Sequence, residues 1–129
     1  LPTNDISTLH ADRLGRLWVA PRAGGLHRLR TDGLTFEHFP KTTHGEDIAG
    51  VHVGCLAESA RHLWVGTSGG GLLAYEYGTR QLYRWPDARV GHMVTALLAE
   101  GEVLWLGAQP GRLLRLHPQT GQLAVYNLP

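Results

Sequence analysis

The sequence has little of what disulfide-rich, zinc-binding, nucleic-acid-binding and membrane proteins need. Its 129 residues include one cysteine, Cys55, which excludes an internal disulfide framework and a cysteine-rich zinc site. The 12 Lys and Arg and 11 Asp and Glu leave a formal net charge of +1, so the chain has no electrostatic basis for wrapping nucleic acid or coating an anionic membrane. No apolar run approaches the ~20 residues that a membrane-spanning helix requires. We therefore expect neither nucleic-acid binding nor membrane insertion by this segment.

Glycine is abundant, and the apolar residues suffice for a core. The chain contains 17 Gly and 7 Pro, and 43% of its residues are hydrophobic. Glycine and proline favour tight turns and shorten regular elements. No segment has apolar residues at helical spacing over enough length to predict a helix. The composition therefore favours many short strands.

A unit containing a Leu-Trp pair occurs three times along the chain. The pairs are Leu17-Trp18, Leu63-Trp64 and Leu104-Trp105, and their tryptophans are separated by 46 and 41 residues. A glycine follows each Trp after six residues, and an aromatic residue follows it after 21. The nine residues at these positions, which we call the anchor residues, are Trp18, Trp64, Trp105, Gly24, Gly70, Gly111, Phe39, Trp85 and Tyr126. A period of about 40 to 45 residues is typical of stacked units or a propeller.

Each unit is predicted to form four short strands. The predicted strands are 5–10, 16–20, 25–30 and 34–39 in the first unit, 51–57, 62–66, 71–77 and 81–86 in the second, and 93–99, 103–107, 112–117 and 122–127 in the third. Between the third and fourth strands lie Gly33, Gly78 and Gly121, where a tight hairpin needs a residue with positive φ.

A four-stranded unit of about 40 residues is the blade of a β-propeller. We therefore predict an all-β fold with three four-stranded antiparallel blades at 1–40, 41–86 and 87–129. The anchor residues are predicted to be structural, with their aromatic rings packed between blades.

The repeats resemble the two-component regulator propeller repeat. The second unit has Leu-Trp-Val-Gly-Thr at 63–67 and Gly-Gly-Leu at 70–72, and the first has Leu-Pro at 1–2, an Asp and a Gly in its turn, and Gly-Gly-Leu at 24–26. The first unit departs at Ala20-Pro21, and the third at Ala108 and Arg112. The resemblance implies a non-enzymatic sensor segment of a bacterial signalling protein, in the periplasm or otherwise outside the cytoplasmic membrane.

Three blades are fewer than a closed ring needs, because closed propellers have roughly four to eight. An arc of three would leave an apolar sheet face open at each end. Two interpretations follow. Copies of the chain associate head to tail, two of them giving six blades, or the segment is completed by flanking blades of a longer chain. The chain itself, or those blades, is the expected partner, and ring assembly is an alternative to sensing as its activity.

The loops that join consecutive blades are predicted to lie at one end of the propeller, with the loops between second and third strands. Such an end is where propellers often bind small molecules, and its polar residues suit a charged or sugar-like ligand, whose identity is unknown. The candidate ligand-binding residues are Asn4, Asp5, Arg22, His44, Glu46, Asp47, His52, Arg89 and His92.

The sequence predicts neither a metal site nor a catalytic residue, and no cofactor. His44, Glu46, Asp47 and His52 combine imidazole with carboxylate, but their spacing fits no compact zinc or nickel site. Cys55 lies in an apolar strand, where a buried thiol is inert. An enzymatic alternative is a propeller similar to virginiamycin B lyase, for which His92 and Glu46 would be the candidate residues.

Overall fold

In a computed structural model, which describes residues 5–129, the chain forms three four-stranded antiparallel sheets. The first sheet contains β1 (Ile6–Ala11), β2 (Leu17–Pro21), β3 (Leu26–Leu29) and β4 (Phe36–Phe39). The second contains β5 (His52–Glu58), β6 (His62–Ser68), β7 (Leu72–Glu76) and β8 (Gln81–Arg84). The third contains β9 (Val94–Glu100), β10 (Val103–Ala108), β11 (Arg112–His117) and β12 (Gln122–Asn127).

Consecutive strands are neighbours in every sheet, which is the arrangement of a propeller blade. The predicted all-β fold of three four-stranded blades is confirmed. The sheets lie within the ranges 1–40, 41–86 and 87–129, and where one blade ends and the next begins stays a prediction. In the described part of the chain the one helical element is a 3-10 turn at Ala88–Val90, and no helix is long and apolar enough to cross a membrane.

The turn between β7 and β8 differs from the prediction. Gly33 and Gly121 have positive φ, as expected, at 71° and 76°, but Gly78 does not, and Arg80 has φ 59° instead. The N–H of Arg80 donates to the carbonyl of Glu76 at 2.8 Å, as that of Gly121 does to His117. The left-handed residue therefore closes this five-residue turn, and Arg80 occupies the position that Gly121 has in the third sheet.

The three sheets pack face to face, and each contact uses the same two faces. The tryptophan-bearing face of one sheet covers the opposite face of the next. Trp18, Ala20 and Leu26 of the first sheet share a core with Leu63, Val65, Leu73, Tyr75 and Leu82 of the second. Trp64, Leu72 and Ala74 of the second share a core with Leu104, Leu106, Leu114 and Leu116 of the third. The repeat in sequence is thus a repeat of one packing interface.

Two faces, which we call the open faces, have no sheet against them among the described residues. On the first sheet, Leu9 is 58% exposed and Phe36 46%. On the third sheet, Leu98 is 61% exposed and Tyr126 45%, and Trp105 is half-buried, whereas Trp18 and Trp64 are fully buried. The open faces carry the same repeat positions as the two interfaces inside the chain.

Candidate functional site

The loops between second and third strands meet the loops between sheets at one end of the molecule, which we call the loop face. We call the contact between the first and second sheets the first junction and that between the second and third sheets the second junction. At the loop-face end of the first junction, the N–H of Arg22 donates to the carbonyl of Asp5 at 2.6 Å, and the N–H of Gly25 donates to the carbonyl of Val51 at 2.9 Å. The ring Nδ1 of His52 lies 3.4 Å from the carbonyl oxygen of Arg22. The structure therefore brings together Asp5, Arg22 and His52 of the predicted ligand-binding set.

These three residues offer a ligand complementary groups. The side chains of Asp5 and Arg22 are exposed and that of His52 is half-buried. A guanidinium donates a planar pair of hydrogen bonds, an imidazole donates or accepts, and a carboxylate accepts. Such a set suits a polar molecule with both acidic and hydroxyl groups. Asn4, the fourth candidate from this part of the sequence, lies outside the described residues.

Arg89 and His92 lie at the second junction of the loop face. The carbonyl of His92 accepts from the N–H groups of Gly69 and Gly71, at 2.8 and 3.0 Å, and its side chain is exposed. Arg89 donates to both carboxylate oxygens of Asp87, at 3.0 and 2.8 Å, and this pairing lowers the pKa of Asp87. The guanidinium of Arg89 is thus already paired, and His92 is the freer of the two side chains.

His44, Glu46 and Asp47 belong to a separate segment, which pairs with the second sheet. The segment 41–47 forms a small hairpin whose Thr43 donates to the carbonyl of Leu82 at 2.6 Å and accepts from its N–H at 2.9 Å. Leu82 belongs to β8, the outer strand of the second sheet, so the hairpin extends that sheet at its outer edge. Glu46 lies 3.8 Å from Arg84 of the same strand. The candidate ligand set is therefore divided between two places.

Among the described residues, this arrangement forms neither a metal-binding group nor a hydrogen bond between His92 and Glu46, the candidate residues of the enzymatic alternative. Within residues 5–129, no three His, Cys, Asp or Glu side chains come together in a group that could hold a metal ion. Glu46 is on the outer hairpin, whereas His92 precedes the inner strand β9, and no hydrogen bond links these two residues of the described chain. Burial raises the pKa of the Cys55 thiol to about 11, so at neutral pH it is not a nucleophilic thiolate.

The aromatic anchor residues pair within each sheet. Ring centroids are 5.3 Å apart for Trp18 and Phe39, 5.4 Å for Trp64 and Trp85, and 6.3 Å for Trp105 and Tyr126. Trp18 also contacts Tyr75 of the next sheet, at 5.0 Å.

The anchor glycines keep the turns close to their neighbours. A Cβ at Gly24 would come 2.8 Å from the backbone of Gly50, and one at Gly70 would come 2.9 Å from Thr67 Oγ1. A Cβ at Gly111 would have no atom closer than 3.8 Å, but the φ of 54° at this residue favours glycine.

A cleft that the sequence does not predict lies at the other end of the sheets, opposite the loop face. It lies between the second and third sheets, and its walls include His62, Tyr83 and Trp85. Trp85 was identified from the sequence only as an anchor residue. In the second unit two large side chains fill the corresponding space between the first and second sheets, and the third unit lacks both. That loss is the sequence signal that could have located the cleft.

A scan against protein-family models gave no match, and neither did a search of curated protein sequences. Among solved structures, two of the extracellular domain of BT4673 from B. thetaiotaomicron align with this chain at 26% identity, with TM-scores of 0.73 and 0.75. BT4673 is described in one as a hybrid two-component system and in the other as a one-component system. They cover 95% and 96% of this chain, which spans 15% and 16% of theirs.

Two further structures show the likeness of fold. The extracellular domain of BT3049 from B. thetaiotaomicron, described as a hybrid two-component system, has a TM-score of 0.72 at 20% identity over 96% of this chain and 17% of its own. The WD40 repeats of RRP9 have a TM-score of 0.72 at 12% identity over 98% of this chain and 39% of their own. The resemblance to two-component sensor propellers is confirmed, and the chain spans about a sixth of the extracellular domains it matches.

Proposed function

We propose that this chain is a non-enzymatic segment of an extracytoplasmic β-propeller in a bacterial signalling protein. Its loop face binds a small ligand, and occupancy of that site is passed to an attached output domain. The observation that carries the proposal is the alignment with extracellular domains of signalling systems over 95% of the chain at 26% identity. The backbone contacts that bring Asp5, Arg22 and His52 together support the choice of the loop face.

Ligand binding can be tested by the thermal stability of the purified chain. A ligand that binds only the folded state stabilises it by RT ln(1 + [L]/Kd), about 2.7 kcal/mol at 100 times Kd. We expect one class among oligosaccharides, short peptides and organic acids to raise the Tm by several degrees. The variant Arg22→Ala/His52→Ala should lose that increase.

The matched control is Arg30→Ala, because Arg30 is exposed at the opposite end of the first sheet. This variant should keep the increase in Tm. If no class of compound raises the Tm of the unmodified chain, the loop face is not a ligand site.

The two open faces support a second proposal, that like sheets from a second copy or from flanking blades cover them. On the third sheet, Arg115 lies over Trp105 at 5.8 Å, next to Tyr126. Arg28 lies over Trp18 at 4.9 Å in the first sheet. There Trp18 packs in the core shared with the second sheet, and Arg28 donates to the Tyr75 hydroxyl at 3.2 Å. Because the groups are the same, the sheet that covers Trp105 should resemble the one that covers Trp18.

A further inference from the structure

The cleft between the second and third sheets has a volume of about 300 Å³, at the lower end of the range for small-molecule sites. It opens at the end of the sheets opposite the loop face. Its polar and aromatic lining includes Arg61, His62, Glu76, Tyr83, Trp85 and Glu102.

The equivalent space at the first junction is filled by the protein's own side chains. The Tyr77 hydroxyl donates to a carboxylate oxygen of Glu58 at 3.0 Å, and the guanidinium of Arg13 lies 5.7 Å from the Tyr77 ring centre. The backbone N–H of Arg13 also donates to Glu58, at 2.8 Å. A cation, an aromatic ring and a carboxylate therefore close the first junction.

At the second junction the repeat lacks the equivalents of these three side chains. Pro118 and Ala99 take the positions of Tyr77 and Glu58. The turn that carries Arg13 spans 12–16 in the first sheet, and the equivalent turn of the second sheet spans 59–61 and has Ala60 instead. Pro118 and Ala60 both line the cleft. The cleft is thus the space that these three side chains occupy between the first two sheets.

Aromatic rings form one wall of the cleft. The rings of Tyr83 and Trp85 lie nearly parallel, with centroids 6.3 Å apart and an interplanar angle of 28°. Trp64 packs edge-on against Trp85 at 5.4 Å and fixes its orientation. The Nε2 atom of His62 lies 3.4 Å from the Tyr83 hydroxyl. Ring faces of this kind attract cations through their negative quadrupole.

Carboxylates outnumber cations around the cleft. Glu76 and Glu102 line it, against the one guanidinium of Arg61. Burial, together with the Glu76 carboxylate, raises the pKa of Tyr83. Burial lowers the pKa of His62, and Glu76 opposes this effect whereas Arg61 adds to it. Two carboxylates and one guanidinium therefore surround the half-buried aromatic wall.

We propose that this cleft binds a small organic cation with an alkylated ammonium group. The ammonium group lies against Tyr83 and Trp85, and Glu76 and Glu102 supply the counter-charge. The ligand takes the place that the Arg13 guanidinium has beside Tyr77 and Glu58 at the first junction. The cleft is at the opposite end of the sheets from the loop face, so the inference holds whether or not that face binds a ligand.

The test is a titration of the full chain with choline chloride at constant ionic strength, followed by tryptophan fluorescence and calorimetry. The comparison ligand is 3,3-dimethylbutan-1-ol, which has the shape of choline without its charge. We expect choline to bind at least about tenfold more tightly, a difference of about 1.4 kcal/mol. Equal binding of the two, or no binding of choline at tens of millimolar, would overturn the proposal.

Three variants locate the site. Glu76→Gln should weaken choline binding about tenfold, whereas the matched control Glu100→Gln should not, because Glu100 is exposed on β9 and does not line the cleft. Pro118→Tyr should abolish binding, because it restores the ring that fills the first junction. Circular dichroism confirms that each variant is folded. Unchanged affinity in folded Pro118→Tyr would show that choline binds elsewhere and would refute the assignment.

Discussion

Gly66 on β6 lies against the thiol of Cys55 on the neighbouring strand β5. A Cβ at Gly66 would come 2.4 Å from Cys55 Sγ and 3.0 Å from Val94 Cγ1 of the third sheet. The glycine of the Leu-Trp-Val-Gly segment is therefore needed for space, where the inner strands of two sheets converge. We expect Gly66→Ala to lower the free energy of unfolding by about 1–3 kcal/mol through overpacking, as measured by urea denaturation.

The thiol provides the control for that prediction. Cys55→Ala removes the Sγ atom, so the combination Cys55→Ala/Gly66→Ala should be more stable than the sum of the two single effects predicts. A double-mutant cycle measures this coupling. Strict additivity would show that the Gly66 site is limited by Val94 or by the backbone and not by Cys55.

Asp12 holds the first turn and the first tryptophan together. One carboxylate oxygen accepts from the N–H groups of Leu14 and Arg16, at 3.0 and 2.9 Å, and the other accepts from Trp18 Nε1 at 2.8 Å. Asp12→Ala leaves the fully buried indole N–H without its acceptor and should cost about 2–4 kcal/mol in thermal or urea unfolding. Asp12→Asn keeps one acceptor oxygen and should lose clearly less. Equal losses in both variants would contradict this role.

Arg80 has an unfavourable backbone conformation that glycine would relieve. Its φ of 59° is in the left-handed region, which costs a residue with a Cβ roughly 1–2 kcal/mol. Arg80→Gly should therefore stabilise the chain by up to about 1 kcal/mol in urea denaturation, after the added entropy of the unfolded chain is subtracted. The control is Gly78→Ala, which should be tolerated because Gly78 has no positive φ and no atom near its Cβ position. Destabilisation by Arg80→Gly would refute the prediction.

The lowered pKa values of His62 and His27 predict a stability that depends on pH. Burial lowers the pKa of both below 6.5, and Arg61 and His38 respectively add to that effect. Since the unfolded chain then binds these protons more readily, the free energy of unfolding should fall as the pH drops through 6.5. Thermal unfolding between pH 7.5 and 5 measures this slope, and the variant His27→Gln/His62→Gln should have a smaller one. An unchanged slope would exclude both residues as its cause.

The strands could be predicted from the sequence because the same positions recur in all three units. Leu63 and Leu104 pair with equivalent residues of their neighbouring strands, so the alignment also predicts the register. Only local spacing and the alternation of apolar residues were needed. The same regularity explains why the open faces resemble the internal interfaces.

The divided ligand set and the cleft depend on contacts between distant parts of the chain. The hairpin that carries His44 and Glu46 is placed by hydrogen bonds between Thr43 and Leu82, and nothing local in 41–47 indicates that partner. The cleft exists because three side chains from three separate elements are missing at one junction. The Gly78 prediction was wrong for a related reason, since the length of the turn determines which residue is left-handed.

The open faces lead to a prediction about the mass of the chain in solution. Leu98 and Phe36 are exposed on opposite ends of the arc, where the repeat has residues that pack between sheets inside the chain. If a second copy covers these faces, light scattering should give a multiple of 14.1 kDa, with 28 kDa for a ring of six sheets.

Leu98→Glu and Phe36→Glu should each restore the 14.1 kDa species, because a carboxylate would be buried unpaired in the contact. The matched control Leu34→Glu should leave the mass unchanged, since Leu34 is 84% exposed in the turn before β4 and lies on neither face. A 14.1 kDa mass for the unmodified chain at every concentration would exclude self-association and leave flanking blades as the partner of both faces.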